Sequence, residues 1–299
     1  MPRTTLIPLD SEYPAALRAL ARPPTSLRVE GSLPGLERTV AVVGTRHADD
    51  DALIFAHAIA GDLARAGVVV VSGGARGIDA AAHQGALDGG GATVVVGAGG
   101  LDHPYPPEHV PLFARVVEGG GALLTEANDT DQPLARRFLQ RNRLVAALAH
   151  AVLVVQAPAR SGALGTAAWA KRLERPLFVV PGAPWDPRAA GCIALLRGGA
   201  AVCTSARDLL SLPPLGGLSD ASVTAERVEK RFTFNDMDAD SLAVVAQLGR
   251  RGRHADEVAR GAGLPVSQVQ AVLLRLQLRG VVDDRGGGCF VLCSSSSPL

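Results

Sequence analysis

From Thr39 onward, short runs of β-branched and aliphatic residues alternate with longer stretches whose apolar positions recur at helical spacing. The strand-like runs are Thr39–Val43, Val68–Val71, Thr93–Val96, Ala122–Thr125, Ala151–Val155, Leu177–Val180 and Ala200–Cys203. Apolar runs without polar alternation belong to strands covered on both faces, and strands alternating with helices predict βαβ units. The expected fold class is therefore α/β, a doubly wound, mainly parallel, extended Rossmann-like sheet. In such sheets ligands sit beyond the carboxyl ends of the strands. Those ends carry Gly44-Thr45-Arg46, Ser72-Gly73-Gly74, Gly97-Ala98-Gly99-Gly100, Thr125-Glu126 and Gln156-Ala157, so glycine follows several strands and not just one.

The same patterning divides the chain. Residues 1–38 form a proline-punctuated lead-in expected to pack on the main domain, which spans 39–211. The S-L-P-P-L-G-G-L-S-D stretch opens a linker over 212–236. Within 237–294 the rhythm changes: helices are predicted at Ala239–Leu248, His254–Ala262 and Pro265–Arg279, the last with Val269, Val272, Leu273 and Leu276 at i, i+3, i+4 and i+7. A hairpin turning at Gly286–Gly288 follows, which makes a winged helix-turn-helix. The serine-rich end, 295–299, is expected to be disordered.

Composition changes this picture in few places. Hydrophobic residues make up 47% and aromatic residues only 4%, so the core is aliphatic. A formal net charge of +1 excludes a globally basic nucleic-acid coat and requires any phosphate site to come from local clustering. Lys171 and Lys230 are the only lysines. Arginine suits phosphate forks and base stacking, although genomic base composition is the simpler account of the bias. Cys192, Cys203, Cys289 and Cys293 have no metal-ligand spacing, so reduced thiols and no metal or cofactor are expected. The first residues lack an apolar signal region and no run is long enough to cross a bilayer, so a cytoplasmic protein without a membrane partner is expected.

Three segments carry candidate chemistry. V-V-V-V-S-G-G-A-R-G-I-D, Val68–Asp79, passes from buried strand to glycine turn in one step, which reads as an anion cradle built from Ser72, Gly73, Gly74, Arg76 and Gly77. It is neither a G-x-x-x-x-G-K-[ST] phosphate loop nor G-x-G-x-x-G, and ATP or NAD chemistry loses support. Gln132–Ala149 reads as a helix whose Leu144, Val145 and Leu148 face the sheet while Arg136, Arg137, Arg141, Asn142 and Arg143 surround Phe138. That set suits a phosphate backbone with a base stacked beside it. On spacing alone, an amphipathic helix whose arginines stay in water fits as well. Ala159–Ala170 supplies Ser161, Gly162, Gly165 and Thr166 at a helix start, where the macrodipole favours an anion. Asp79 and His83, four apart, read more readily as a cap or orienting pair than as a catalytic one, and Asp102-His103 reads as structural.

Together, Y-P-A-A-L, V-V-G-T-R, S-G-G-A-R-G-I-D-A-A-A-H, G-L-D-H-P-Y-P, L-L-T-E, F-L-Q-R-N-R, R-S-G-A-L-G-T-A-A-W-A and V-V-P-G resemble, in order, the DNA-processing protein A (DprA or Smf) family over Leu9–Leu210. The resemblance implies single-stranded DNA binding, a homodimer, help in loading RecA recombinase during natural transformation, and no catalytic turnover. Carried onto this chain, it assigns binding roles to Gly44, Thr45 and Arg46, to Ser72–Asp79, to Phe138, Arg141, Asn142 and Arg143, and to Arg160, Ser161 and Gly162. Arg46 and Arg141 would hold phosphates, the glycine turns would supply N–H donors, and Phe138 would pack a base. Departures from the family pattern are mild: S-G-G-A for S-G-L-A, Thr125-Glu126 for S-E, and F-L-Q-R-N-R for F-P-x-R-N-R. The separate helical domain that begins many members is expected to be missing.

Two other readings stand beside this one. LOG-type nucleotide phosphoribohydrolases carry P-G-G-x-G-T-x-x-E, but after Gly165-Thr166 tryptophan, Trp169, takes the glutamate's place. A transcription regulator would present Ser267, Gln268, Gln270 and Arg275 to duplex DNA, with Arg250, Arg251 and Arg253 offset by Asp256, Glu257, Asp283 and Asp284.

Overall fold

A computed structural model describes residues 3–216, 239–248, 252–278 and 281–292. The chain forms two compact units, Met1–Gly217 and Leu218–Leu299. Among the sequence expectations, most of the linker, Arg250, Arg251, Cys293 and the serine-rich end lie outside the described residues.

The first unit is built on a nine-stranded sheet in the order β1-β2-β6-β5-β4-β3-β7-β8-β9. Its strands are β1 (Arg3–Leu6), β2 (Leu27–Gly31), β3 (Thr39–Val43), β4 (Val69–Ser72), β5 (Thr93–Val96), β6 (Ala122–Thr125), β7 (Ala151–Val154), β8 (Leu177–Val179) and β9 (Ala201–Val202). From β6 to β9 every neighbouring pair is parallel. The seven expected strands are thus present within a residue or so of their expected bounds.

The lead-in does more than pack on this sheet, because it supplies β1 and β2. The two pair with each other antiparallel, and β2 pairs antiparallel with β6, matching Val29 to Leu124. Leu27 and Val29 of β2 are buried while Arg28 and Glu30 are less so. That alternation is what an antiparallel strand near an edge requires, and a search for unbroken apolar runs passes over it.

Successive residues of β3 feed opposite faces: Ala41 and Val43 join one core, Val40 and Val42 the other. The first core takes α5 (Ala135–Leu148) and α6 (Ala163–Arg172) through Leu144, Val145, Leu148, Ala163 and Ala167. The second takes α2 (Asp50–Arg65) and α3 (Ile78–Asp88) through Ile59, Leu63, Ile78 and Ala82. Asp49 starts α2 by accepting from the Ala52 amide at 2.8 Å. Gly85 of α3 lies so near α2 that a Cβ there would be 2.0 Å from the His57 carbonyl oxygen. The shorter helices are α1 (Ala15–Arg18), α4 (Val110–Glu118), α7 (Ala190–Arg197) and α8 (Ala206–Leu210). The unit continues into the stretch whose composition reads as linker: Leu215 is fully buried and its carbonyl oxygen accepts from Arg38.

The second unit contains α9 (Ala239–Gln247), β10 (Arg253–His254), α10 (Ala255–Ala262), α11 (Val266–Leu278), β11 (Val282–Asp284) and β12 (Cys289–Leu292). Val244, Val258, Val269, Val272, Leu273 and Leu276 form its core, so the predicted i, i+3, i+4, i+7 stripe is the buried face of α11. The hairpin turns where expected, with Gly286, Gly287 and Gly288 all at positive φ. Among the described residues of this unit, only the two-residue strand β10, paired with β12, was not foreseen. Among the described residues no helix is long and apolar enough to cross a membrane.

Candidate nucleic-acid interface

The carboxyl ends of β3, β4 and β7 meet the first turns of α5 and α6 around a groove of about 690 Å³. Each wall follows from a local requirement. After β3 the chain turns at Gly44, where a Cβ would lie 2.4 Å from Ile78, and Thr45 donates its amide to Gln156 O at 2.7 Å. The next residue, Arg46, is exposed on the lip. Its guanidinium lies 5.0 Å from the centre of the Phe138 ring, and Tyr105 meets the same ring edge-on at 5.4 Å.

The turn after β4 is the expected cradle, but the anion it holds is the chain's own. Asp79 is buried and accepts from the amides of Gly73 at 3.2 Å and Ala75 at 3.4 Å. Gly77, at φ 74°, folds the turn onto the β3 loop, where a Cβ would meet Thr45 O at 2.3 Å. The donors expected to serve a ligand are therefore used inside the protein at Gly73 and Ala75. Arg141 departs from expectation in the same way. It is 6% exposed, donates to Val96 O at 2.5 Å, and presses its guanidinium on Gly73, where a Cβ would lie 2.0 Å away. Among the described residues its Nε has no partner. Burial pushes the Asp79 carboxyl up and the Arg141 guanidinium down, and each one's charge opposes the shift of the other. The two charges act on each other beneath the groove, with no direct ion pair between them among the described residues.

The third wall is the start of α6. Asn142 donates to Gly162 O at 3.1 Å and tethers that turn to α5, Ser161 accepts from the Ala163 amide at 3.3 Å, and Arg160 is exposed and, like Arg46, lines the groove. Thr166 is buried at the base and Gly165 lets Asn142 approach.

The groove thus gathers Gly44, Thr45, Arg46, Gly73, Asp79, Phe138, Arg141, Asn142, Arg160, Ser161, Gly162 and Thr166. Other expected residues lie apart from it. Ser72 donates to Val42 O inside the sheet, and Gly74 packs on Val95 and Phe113. Arg76 pairs with Glu108 on the outside, while Arg136 is exposed. Arg137 pairs with Asp131 at 3.0 Å, and Arg143 pairs with Glu126 and donates to Arg22 O, both away from this groove. Tyr105 is among the wall residues that sequence reasoning passed over, with His47 and Leu139. For Tyr105 the signal was the G-L-D-H-P-Y-P segment, which holds one of only two tyrosines.

Asp79 and His83 do not act on each other. Asp79 orients the turn, whereas His83 bonds Thr93 through Nδ1 at 2.7 Å and leaves Nε2 without a partner among the described residues. Thr93 donates to Val70 O, so the ring donates from Nδ1; burial pushes its pKa down to about 3. Asp102 pairs with Arg3 at 2.5 Å and His103 bonds Gln132, as structural residues would. In the second unit, Ser267, Gln268 and Gln270 are exposed, and so are Asp256, Glu257, Asp283 and Asp284.

Fold and site together define a Rossmann-like α/β protein with an arginine-lipped groove at the strands' carboxyl ends and a separate winged-helix unit. The chain belongs to the DNA recombination-mediator protein A family, whose model matches residues 4–213, and the DprA winged helix domain matches 233–288. A putative DNA processing protein DprA from Mycobacterium tuberculosis is 42% identical over 85% of this chain; the match spans 64% of that protein's length. The crystal structure of DNA processing protein A from Streptococcus pneumoniae has a TM-score of 0.65 and 36% identity, covering 69% of this chain and 73% of that one. The Helicobacter pylori DNA processing protein A structure, described for its single-stranded DNA binding mode, has a TM-score of 0.63 and 31% identity, covering 70% of this chain and 94% of that one.

Proposed function

We propose that this protein binds single-stranded DNA in the groove between Arg46 and Arg160, without preference for base sequence, and is a binder and not an enzyme. The observation that carries this reading is the Arg46 guanidinium lying over Phe138 at the lip. An exposed guanidinium and an aromatic face side by side match a phosphate and its base, and every base has a face to stack. Because the deeper donors serve Asp79, the arginines at the lips are left to meet phosphate. A base that stacks on Phe138 displaces Arg46 from the ring and frees that guanidinium for the backbone. In the family's manner, we further propose that the protein works as a homodimer in the cytoplasm and passes the strand to RecA recombinase during natural transformation.

Arg46→Ala is expected to weaken binding to oligo-thymidine about tenfold and to reduce the slope of log affinity against log salt by about 0.7 for each phosphate that the guanidinium neutralises. A gel shift across a salt series reads both quantities, and wild-type affinity with an unchanged slope would refute the assignment. Nucleoside monophosphate hydrolysis, assayed on the same preparation, tests the phosphoribohydrolase reading that Trp169 speaks against; light scattering tests the dimer.

A further inference from the structure

Helix α5 has a second groove on its other flank. It measures about 770 Å³ and lies at the carboxyl ends of β5 and β6, walled by the lead-in, the Thr125–Ala127 turn and α6. Arg22, Arg137 and Arg143 line it against Glu126 and Asp131, and Trp169 forms part of its wall. Leu139 and Arg141 border both grooves, so α5 is a saddle between them. Leu139 is 63% exposed on that saddle, and Arg136 and Gln140 are exposed beside it.

We propose that a bound single strand does not end beside Arg46 but crosses α5 and continues in this second groove, with phosphates on Arg22, Arg137 and Arg143 and a base against Trp169. The inference rests on the reading that the first groove binds single-stranded DNA. Three observations carry it. Arginines outnumber carboxylates in the second groove, Arg22, Arg137 and Arg143 against Glu126 and Asp131. Arg143 is held by Glu126 and the Arg22 carbonyl, and Arg137 by Asp131 and the Gln132 carbonyl. Such pairing stiffens each guanidinium, and with five N–H donors apiece these side chains keep donors free for phosphate. Trp169 lines this groove while packing partly against the core, and its ring also takes the Arg172 guanidinium at 5.1 Å. A helix with its side chains is about 10–12 Å across, which an extended strand crosses in a few nucleotides. A peptide is the competing occupant of a groove with both charge signs. Continuity with the first groove and the excess of arginine favour the polynucleotide.

The test uses the full chain and oligo-thymidines of roughly 4 and 16 nucleotides, which bracket common single-strand site sizes. Arg22→Ala with Arg137→Gln is expected to leave the short oligonucleotide bound as before. It is expected to weaken the long one about tenfold and to lower its salt slope by about 1.4, the share of two phosphates no longer neutralised. In a Trp185→Phe background, Trp169 is the remaining tryptophan; its fluorescence should respond to the long oligonucleotide and not to the short one. An unchanged salt slope for the double variant, or a Trp169 signal indifferent to saturating long oligonucleotide, overturns the proposal while binding of the short one keeps the first groove intact. If wild-type protein binds neither oligonucleotide, the functional reading itself falls.

Discussion

The floor and the lip of the first groove use the same residue types to opposite ends. On the floor, Asp79, Arg141 and Gly73 close on one another: the carboxylate takes the turn's amides and the guanidinium rests on the glycine. On the lip, Arg46 and Arg160 are exposed, and the ring beneath Arg46 is bordered by Tyr105. A charged residue at the carboxyl end of a strand is therefore not by that fact a ligand contact. What separates the two groups is whether the chain itself supplies the partner. The floor sets the shape, and the lip is left to bind.

Substitutions can break this division, and the largest effect is expected on the floor. Asp79→Ala leaves the Gly73 and Ala75 amides without their acceptor, which destabilises by about 3 kcal/mol. Urea unfolding should show the decrease; stability equal to wild type would mean that the turn does not depend on the carboxylate. A smaller effect comes from His83, one helical turn further on. The folded ring titrates at about 3, so between that value and the ordinary 6.5 the unfolded chain binds a proton that the folded one refuses. Stability then falls as pH falls through this window, by about 2 kcal/mol from pH 7 to pH 5. His83→Gln should remove that part of the pH dependence, and parallel wild-type and variant curves would contradict the burial argument. The smallest effect belongs to the lip: Phe138→Leu keeps the bulk but removes the π-face, weakening single-strand binding by about 1 kcal/mol with the thermal midpoint unchanged. A lowered midpoint would place Phe138 with the floor.

The parallel strands were legible because a strand covered on both faces has to be apolar at every position, as Val40–Val43 are. β1 and β2 were not, since near an edge only alternate residues are buried, and R-T-T-L carries little signal alone. The groove's composition was legible in part: Gly44, Gly73, Arg46, Arg160 and Phe138 line it, whereas Arg76, Arg136, Arg137 and Arg143 do not. Its division of labour was not. That Asp79 reaches back to Gly73 and Ala75, or that Arg141 is buried while Arg46 is exposed, depends on how α3 and α5 dock, and helical spacing reports only which side of a helix a residue occupies. Arg136 and Arg143, seven apart, illustrate this: the first is exposed, and the second meets Glu126 from the β6 turn.

The pairing of β2 with β6 also sets an order of events during synthesis. β2 leaves the ribosome before its sheet partner β6, which emerges only after three further strands, so the parallel centre can gather first and the β1–β2 pair docks onto it later. The earlier segment is thus completed by one translated well after it, and the wall of the second groove that carries Arg22 closes only when both are in place.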